Sequence, residues 1–325
     1  MHYRFCSSLL IMALSPSLPA RAQGVSQQGA PNNSSPSVTK VPTGVILVKG
    51  AWSSASDSVT PVPEGGKVAD GVFTDSYFGM SYALTGNWTE KYTGPPPSDT
   101  GLYVLAQLSP AATFNGPSRG SILITAQDMF FTPLPATNVT ELINYMKDNL
   151  GAGYELERSP APVRIANRSF SLFAYWSPVA QLHWVVLATQ IRCHAIQIVL
   201  TSRDTQLLDG LILDMHKMKL PEEASPIEGA GGGAEPVCVK DYARDDNVIA
   251  RVDPVFSEHR FNPVPVRIII DKEGKVKHIH FLSAFADQAK VITEALGQWK
   301  FKPYLLDGRP SEIETGILFG HGSVR

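Results

Sequence analysis

Three cysteines occur in 325 residues, 28 Lys and Arg nearly balance 30 Asp and Glu, and no run of like charge breaks the chain. Each shortage excludes something. A formal net charge of -2 with thinly spread basic residues leaves no electrostatic footprint for nucleic acid. So few cysteines rule out a disulfide-rich scaffold, and their spacing suits no zinc site. The one glycine-rich run, GAGGGA, lacks the Lys-Ser/Thr and the flanking strand and helix that a phosphate loop needs.

What is present begins at the N-terminus. Arg4 precedes an apolar core from Phe5 to Leu14, and Ala20-Arg21-Ala22 forms a small-residue cleavage pattern. That core is shorter than the ~20 residues a bilayer span requires. The expectation is a signal peptide over 1–22, cut before Gln23, and a mature protein that is periplasmic or secreted. An uncleaved inner-membrane anchor is the alternative. Cys6 would leave with the signal, so Cys193 and Cys238 remain in an oxidising space. A bridge between them would tie two regions of the chain and contribute about 3–4 kcal/mol in the chain-entropy model. Two small buried thiols are the other reading.

Residues 23–70 are rich in Pro, Ser, Asn and Gln, too polar to offset their ordering entropy, and read as a tether. Only Gly44–Gly50 has the apolar character of a short strand. Over 71–220 strand-like runs alternate with two helical stripes, which predicts an α+β domain. Asn138 and Glu141 form a capping pair before Leu142, Ile143, Met146 and Leu150. Asp204 caps a second stripe through Leu207, Leu208, Leu211, Ile212 and Met215. A turn is expected at Asn167-Arg168. The β-branched stretch His183–Ser202 reads as two core strands turning at Arg192–His194. Residues 221–237 are a Pro/Gly/Glu linker, and 238–325 form a second domain.

That second domain has the order β-β-α-β. Val264, Val266, Ile268 and Ile270 alternate with Pro265, Arg267 and Ile269, and Gly274 suits a hairpin loop. His278, His280 and Leu282 alternate on the return strand. Ala289, Ile292, Ala295, Leu296 and Trp299 follow at helical spacing, and Pro303 stops the helix. The hairpin ending in Ser283-Ala284, the WKFKP segment with Trp299, Phe301 and Pro303, and the closing GILF strand together resemble the C-terminal domain of the TonB family of periplasmic energy transducers. The resemblance spans about 238–320. It implies a non-enzymatic protein-binding module that takes a partner's extended segment by strand addition, the family's partners being TonB-dependent outer-membrane receptors. By that resemblance the closing strand is the docking edge, with Glu312, Glu314, Thr315 and Ile317 along it. The middle domain resembles the PsbP/Mog1-like fold in element order alone.

Chemistry elsewhere is thin. GPSRG around Ser118 matches a hydrolase nucleophile pattern, but a loop precedes it and a strand follows where a strand and a helix are needed. His278 and His280 share a strand face and could meet a metal only with a third ligand such as His259, so a solvated face is the simpler reading. No catalytic residue, metal or cofactor is expected. An envelope hydrolase using Ser118, or a structural protein that homodimerises, are the competing functions.

Overall fold

In the computed structural model the described residues are 45–47, 53–57, 63, 66–84, 88–92, 100–110, 120–221, 236–256 and 263–320. The segment 1–22 expected to be a signal peptide, Ser118 and His259 lie outside them. Within the compact unit Thr39–Arg325 the described strands form two large sheets, of six and seven strands, and three small ones.

Strands β1 (Val45–Leu47) and β2 (Ser53–Asp57) come from the segment expected to be a tether. A small meander follows: β3 (Lys67–Ala69), β4 (Val72–Asp75) and β5 (Met80–Ala83). The chain then lays down β6 (Trp88–Tyr92), β7 (Leu102–Pro110), β8 (Gly120–Asp128), α1 (Val139–Asp148), β9 (Glu155–Ile165), β10 (Arg168–Ser177), β11 (Leu182–Ile191), β12 (His194–Ser202) and α2 (Thr205–Met215). The large sheet is antiparallel throughout, in the order β6-β7-β8-β12-β11-β10-β9. Its strands pair with sequence neighbours except where β12 inserts beside β8. That placement brings the Arg192-Cys193 turn beside Asp128, because His194 is in register with it.

Local chemistry explains the elements. Asn138 accepts from the Glu141 amide at 3.0 Å while Glu141 accepts from the Thr137 amide at 2.7 Å, so the first turn of α1 is closed from both sides. Asp204 accepts from the Gln206 and Leu207 amides and starts α2. The β9–β10 turn lies at Ala166-Asn167, both at positive φ, one residue earlier than expected; Arg168 already belongs to β10. Arg168 instead points inward, donating to the carbonyls of Gln190 and Pro221. The α+β character of this region is as expected.

The C-terminal part adds β13 (Val237–Cys238), β14 (Val248–Ala250), β15 (Val264–Ile270), β16 (Val276–Ala284), α3 (Ala286–Leu296), β17 (Lys300–Phe301), the hairpin β18 (Tyr304–Leu306) with β19 (Arg309–Ser311), and β20 (Ile313–Phe319). The second sheet runs β1-β2-β16-β15-β20-β13. Gly274 closes the β15–β16 turn at φ 79°, and a Cβ there would collide with the Phe301 carbonyl oxygen. One face of this sheet buries Val264, Val266, Ile268, Ile270, Phe281, Ile313, Ile317 and Phe319 against α3, Trp299 and Phe301. The opposite face packs on the large sheet, where Leu282 joins that sheet's own core. Two domains read from sequence therefore share a buried face.

Candidate functional site

The residues singled out in the C-terminal sheet divide into core and edge. Trp299 is 3 % exposed, Phe301 0 % and Ser283 1 %, so they pack, whereas Pro303 lies at the surface. The Trp299 indole nitrogen donates to the Val252 carbonyl at 2.8 Å and holds the segment after β14 against the helix end. His280 is buried and does not lie on a solvated face, because the large sheet covers that side of β16. Among the described residues no group of three His, Cys, Asp or Glu side chains is arranged to hold a metal.

The edge of β20 differs from expectation. Its first half is occupied by the chain itself. The Val237 amide donates to the Glu312 carbonyl at 2.9 Å and the Val239 amide to the Glu314 carbonyl at 3.0 Å, so β13 runs parallel along it. Period two then places the amides and carbonyls of Gly316 and Leu318 on the same side. Among the described residues no strand pairs with them there. Thr315 and Ile317 point their backbone the other way, into the ladder with β15 opposite Ile268 and Val266. Thr315 is 0 % exposed, so it is a core position rather than an edge handle. Glu312 pairs with Lys277 at 2.9 Å on the surface.

Glu314, expected along the docking edge, is not at the surface. It is buried with Arg267 in an ionic cluster between the sheets. A guanidinium carries five N–H donors; here four meet oxygen acceptors and the fifth lies against the His194 ring. Nε and Nη2 reach Glu314 Oε1 at 3.0 and 2.7 Å, and Nη2 reaches the Arg192 carbonyl at 2.9 Å. Nη1 reaches Asp128 Oδ2 at 2.6 Å and His194 Nε2 at 3.0 Å. Phe130 lies against the guanidinium at 5.1 Å, and Tyr77, Phe78 and Tyr103 surround the imidazole. Burial alone would lower the Arg267 pKa, but Asp128 and then Glu314 outweigh it and hold the group charged. Burial raises the Glu314 pKa against the pull of Arg267. Beside this cluster Gly316 permits close approach: a Cβ there would sit 2.7 Å from Phe130 Cβ.

Arg267 was visible in the sequence as a charge inside an apolar strand, an arrangement that demands partners. Those partners, Asp128, His194 and Glu314, were not identifiable, because Asp128 and Arg267 are 139 residues apart in sequence.

His194 is held neutral. Its Nδ1 donates to the Arg192 carbonyl at 2.6 Å, and Arg267 Nη1 lies against the ring, 3.0 Å from Nε2 and 3.2 Å from Nδ1. Burial, then the Arg267 charge, keeps its pKa well below the usual range. The unfolded chain therefore takes up a proton that the folded chain refuses. This contribution is complete above pH ~6.5 and is lost as pH falls, reaching about 2 kcal/mol by pH 5. Glu314 acts with opposite sign but is common to wild type and a His194→Asn variant. The stability advantage of wild type over that variant, measured by urea unfolding, should shrink by about 2 kcal/mol between pH 8 and pH 5. An advantage equal at both pH values would mean His194 titrates normally.

Cys193, 1 % exposed in the β11–β12 turn, is bridged to Cys238 in β13, with Cα atoms 5.5 Å apart. The bridge fastens the large sheet to the strand that covers the first half of the β20 edge.

No protein-family model and no curated protein matches this chain. Among solved structures, the solution structure of cyanobacterial PsbP (CyanoP) from Synechocystis sp. PCC 6803 is similar over 48 % of this chain and 96 % of its own, at 14 % identity and a TM-score of 0.35.

Proposed function

We propose that this chain is a cell-envelope protein-binding module that captures an extended segment of a partner by strand addition along β20, as the resemblance to TonB C-terminal domains implies. The observation that carries the reading is the outward-facing backbone of Gly316 and Leu318, with which no strand among the described residues pairs, continuing the line that β13 already uses. A sheet edge of this kind is a template for another strand. The opposite comparison supports the choice: the β9 edge of the large sheet carries Pro160 and Pro162 with Glu155, Glu157, Arg158 and Arg164, and is guarded against pairing. Leu318 is 37 % exposed and unguarded. The export pattern over 1–22 and the Cys193–Cys238 bridge support an oxidising compartment. TonB-dependent outer-membrane receptors are the partner class this reading favours.

The test uses a synthetic peptide carrying the plug-side motif of such a receptor. Leu318→Pro removes an edge-facing amide and should abolish peptide binding with little change in thermal melting. Leu318→Ala keeps the amide and should bind within about threefold of wild type, since main-chain bonds carry strand addition. Thr315→Pro, by contrast, breaks the β15–β20 ladder and should unfold this sheet. Undiminished binding by folded Leu318→Pro would exclude strand addition at this edge.

A further inference from the structure

We infer that the Cys193–Cys238 bridge is a redox latch on the docking edge: reduction frees β13 and exposes a continuous strand edge from Glu312 to Leu318. This inference rests on the strand-docking reading and adds its regulation. The geometry is asymmetric. Cys193 is buried on the large sheet in a rigid hairpin turn, whereas Cys238 is exposed on a two-residue strand. Apart from the bridge, β13 is held to the edge by the amides of Val237 and Val239 and by the half-buried side chains of those two valines. The chain that follows is anchored by Tyr242, buried in the same core with its amide donating to Thr315 Oγ1 at 3.2 Å. Parallel pairing of that length is weak, so the covalent tie holds the strand ahead of that anchor.

The exposed sulfur sets the course of reduction. A thiolate of a dithiol reductase of the thioredoxin type attacks Cys238 Sγ; the S–S bond breaks and its electron pair leaves on Cys193 Sγ, which takes a proton. The reductase's second thiol then resolves the mixed disulfide and releases Cys238 as a thiol. Two electrons and two protons pass from the dithiol, which becomes a disulfide. Glu314 Oε2 lies 3.5 Å from Cys193 Sγ, so the reduced thiol meets a hydrogen-bond acceptor already in place. Stabilising the reduced form makes a disulfide easier to reduce.

The chemistry of the incoming segment follows from what it replaces. Val237 and Val239 pack against the core beneath the edge. A partner strand taking their place must offer apolar side chains at alternate positions and bond to the carbonyls of Glu312 and Glu314 as well as to Gly316 and Leu318. With β13 seated, Gly316 and Leu318 alone are open among the described residues, which is too short a ladder to hold a peptide tightly.

The experiment compares the full mature protein, oxidised and after reduction with a phosphine, by hydrogen exchange and by binding of the receptor-motif peptide. Exchange at Val237 and Val239 should rise at least about tenfold on reduction while β15 amides keep their protection. Peptide affinity should rise about tenfold, because apparent affinity scales with the open fraction. A Cys193→Ser/Cys238→Ser protein should behave as the reduced form and ignore the phosphine. Unchanged exchange at Val237 and Val239, or equal loss in β15, overturns the latch. Release of β13 without peptide binding to either form leaves the latch standing and sinks strand docking instead.

Discussion

Arg267→Met should destabilise the folded chain by about 3–5 kcal/mol, the cost of leaving buried charge without its partner. Asp128 and Glu314 would then face each other's charge in a space closed to water, and the Arg192 carbonyl would keep only its His194 donor. The loss should register on both sheets at once, because the cluster draws one acceptor from β8, one from the β11–β12 turn and one from β20. Adding Asp128→Asn and Glu314→Gln to Arg267→Met removes the uncompensated charge and should recover part of the stability. An Arg267→Met protein that melts like wild type would mean the sheets are held together by apolar contact alone. Replacement of the whole cluster by apolar residues carries a different expectation: it can be neutral for stability, so the cluster's worth lies in fixing how the sheets register.

That registration explains where sequence reasoning reached and where it stopped. The alternation of Val264, Val266, Ile268 and Ile270 reads directly as a strand with one face on a helix, and the structure has it so. The caps at Asn138 and Asp204 were legible for the same reason: their partners are three residues away or fewer. The turn at Arg192-Cys193 was legible because β-branched runs flank it. None of this speaks of the other sheet face. His280 alternates with apolar residues and reads as solvent-facing, and Glu314 reads as part of an open edge, yet both are buried. The strands β2 and β13 were missed because they join by backbone bonds, which any residue supplies, in segments whose polar composition reads as tether and linker. Along β20 the backbone of Thr315 and Ile317, expected at the outer edge, bonds inward to β15, and that of Gly316 and Leu318 faces outward.

The packing behind that edge is tested by Trp299→Ala, which should cost about 3–5 kcal/mol, as truncation of a buried Trp usually does. The ring lies 5.8 Å from Phe301 and 6.1 Å from Phe319, centroid to centroid, and Arg251 lies 5.3 Å over it. Phe319 ends β20, so the cavity opens under the strand whose outer edge is proposed to bind. The lost indole N–H also frees the Val252 carbonyl, and the segment from Val248 to Phe256 loses its anchor to the end of α3. Limited proteolysis should therefore cut Trp299→Ala within that segment sooner than wild type. Trp299→Phe separates the two effects: it restores much of the packing but not the hydrogen bond, whose loss is worth about 1 kcal/mol. If Trp299→Phe is as unstable as Trp299→Ala, the bond to Val252 dominates over packing. If neither change lowers the melting temperature, Trp299 is not part of the core that supports β20.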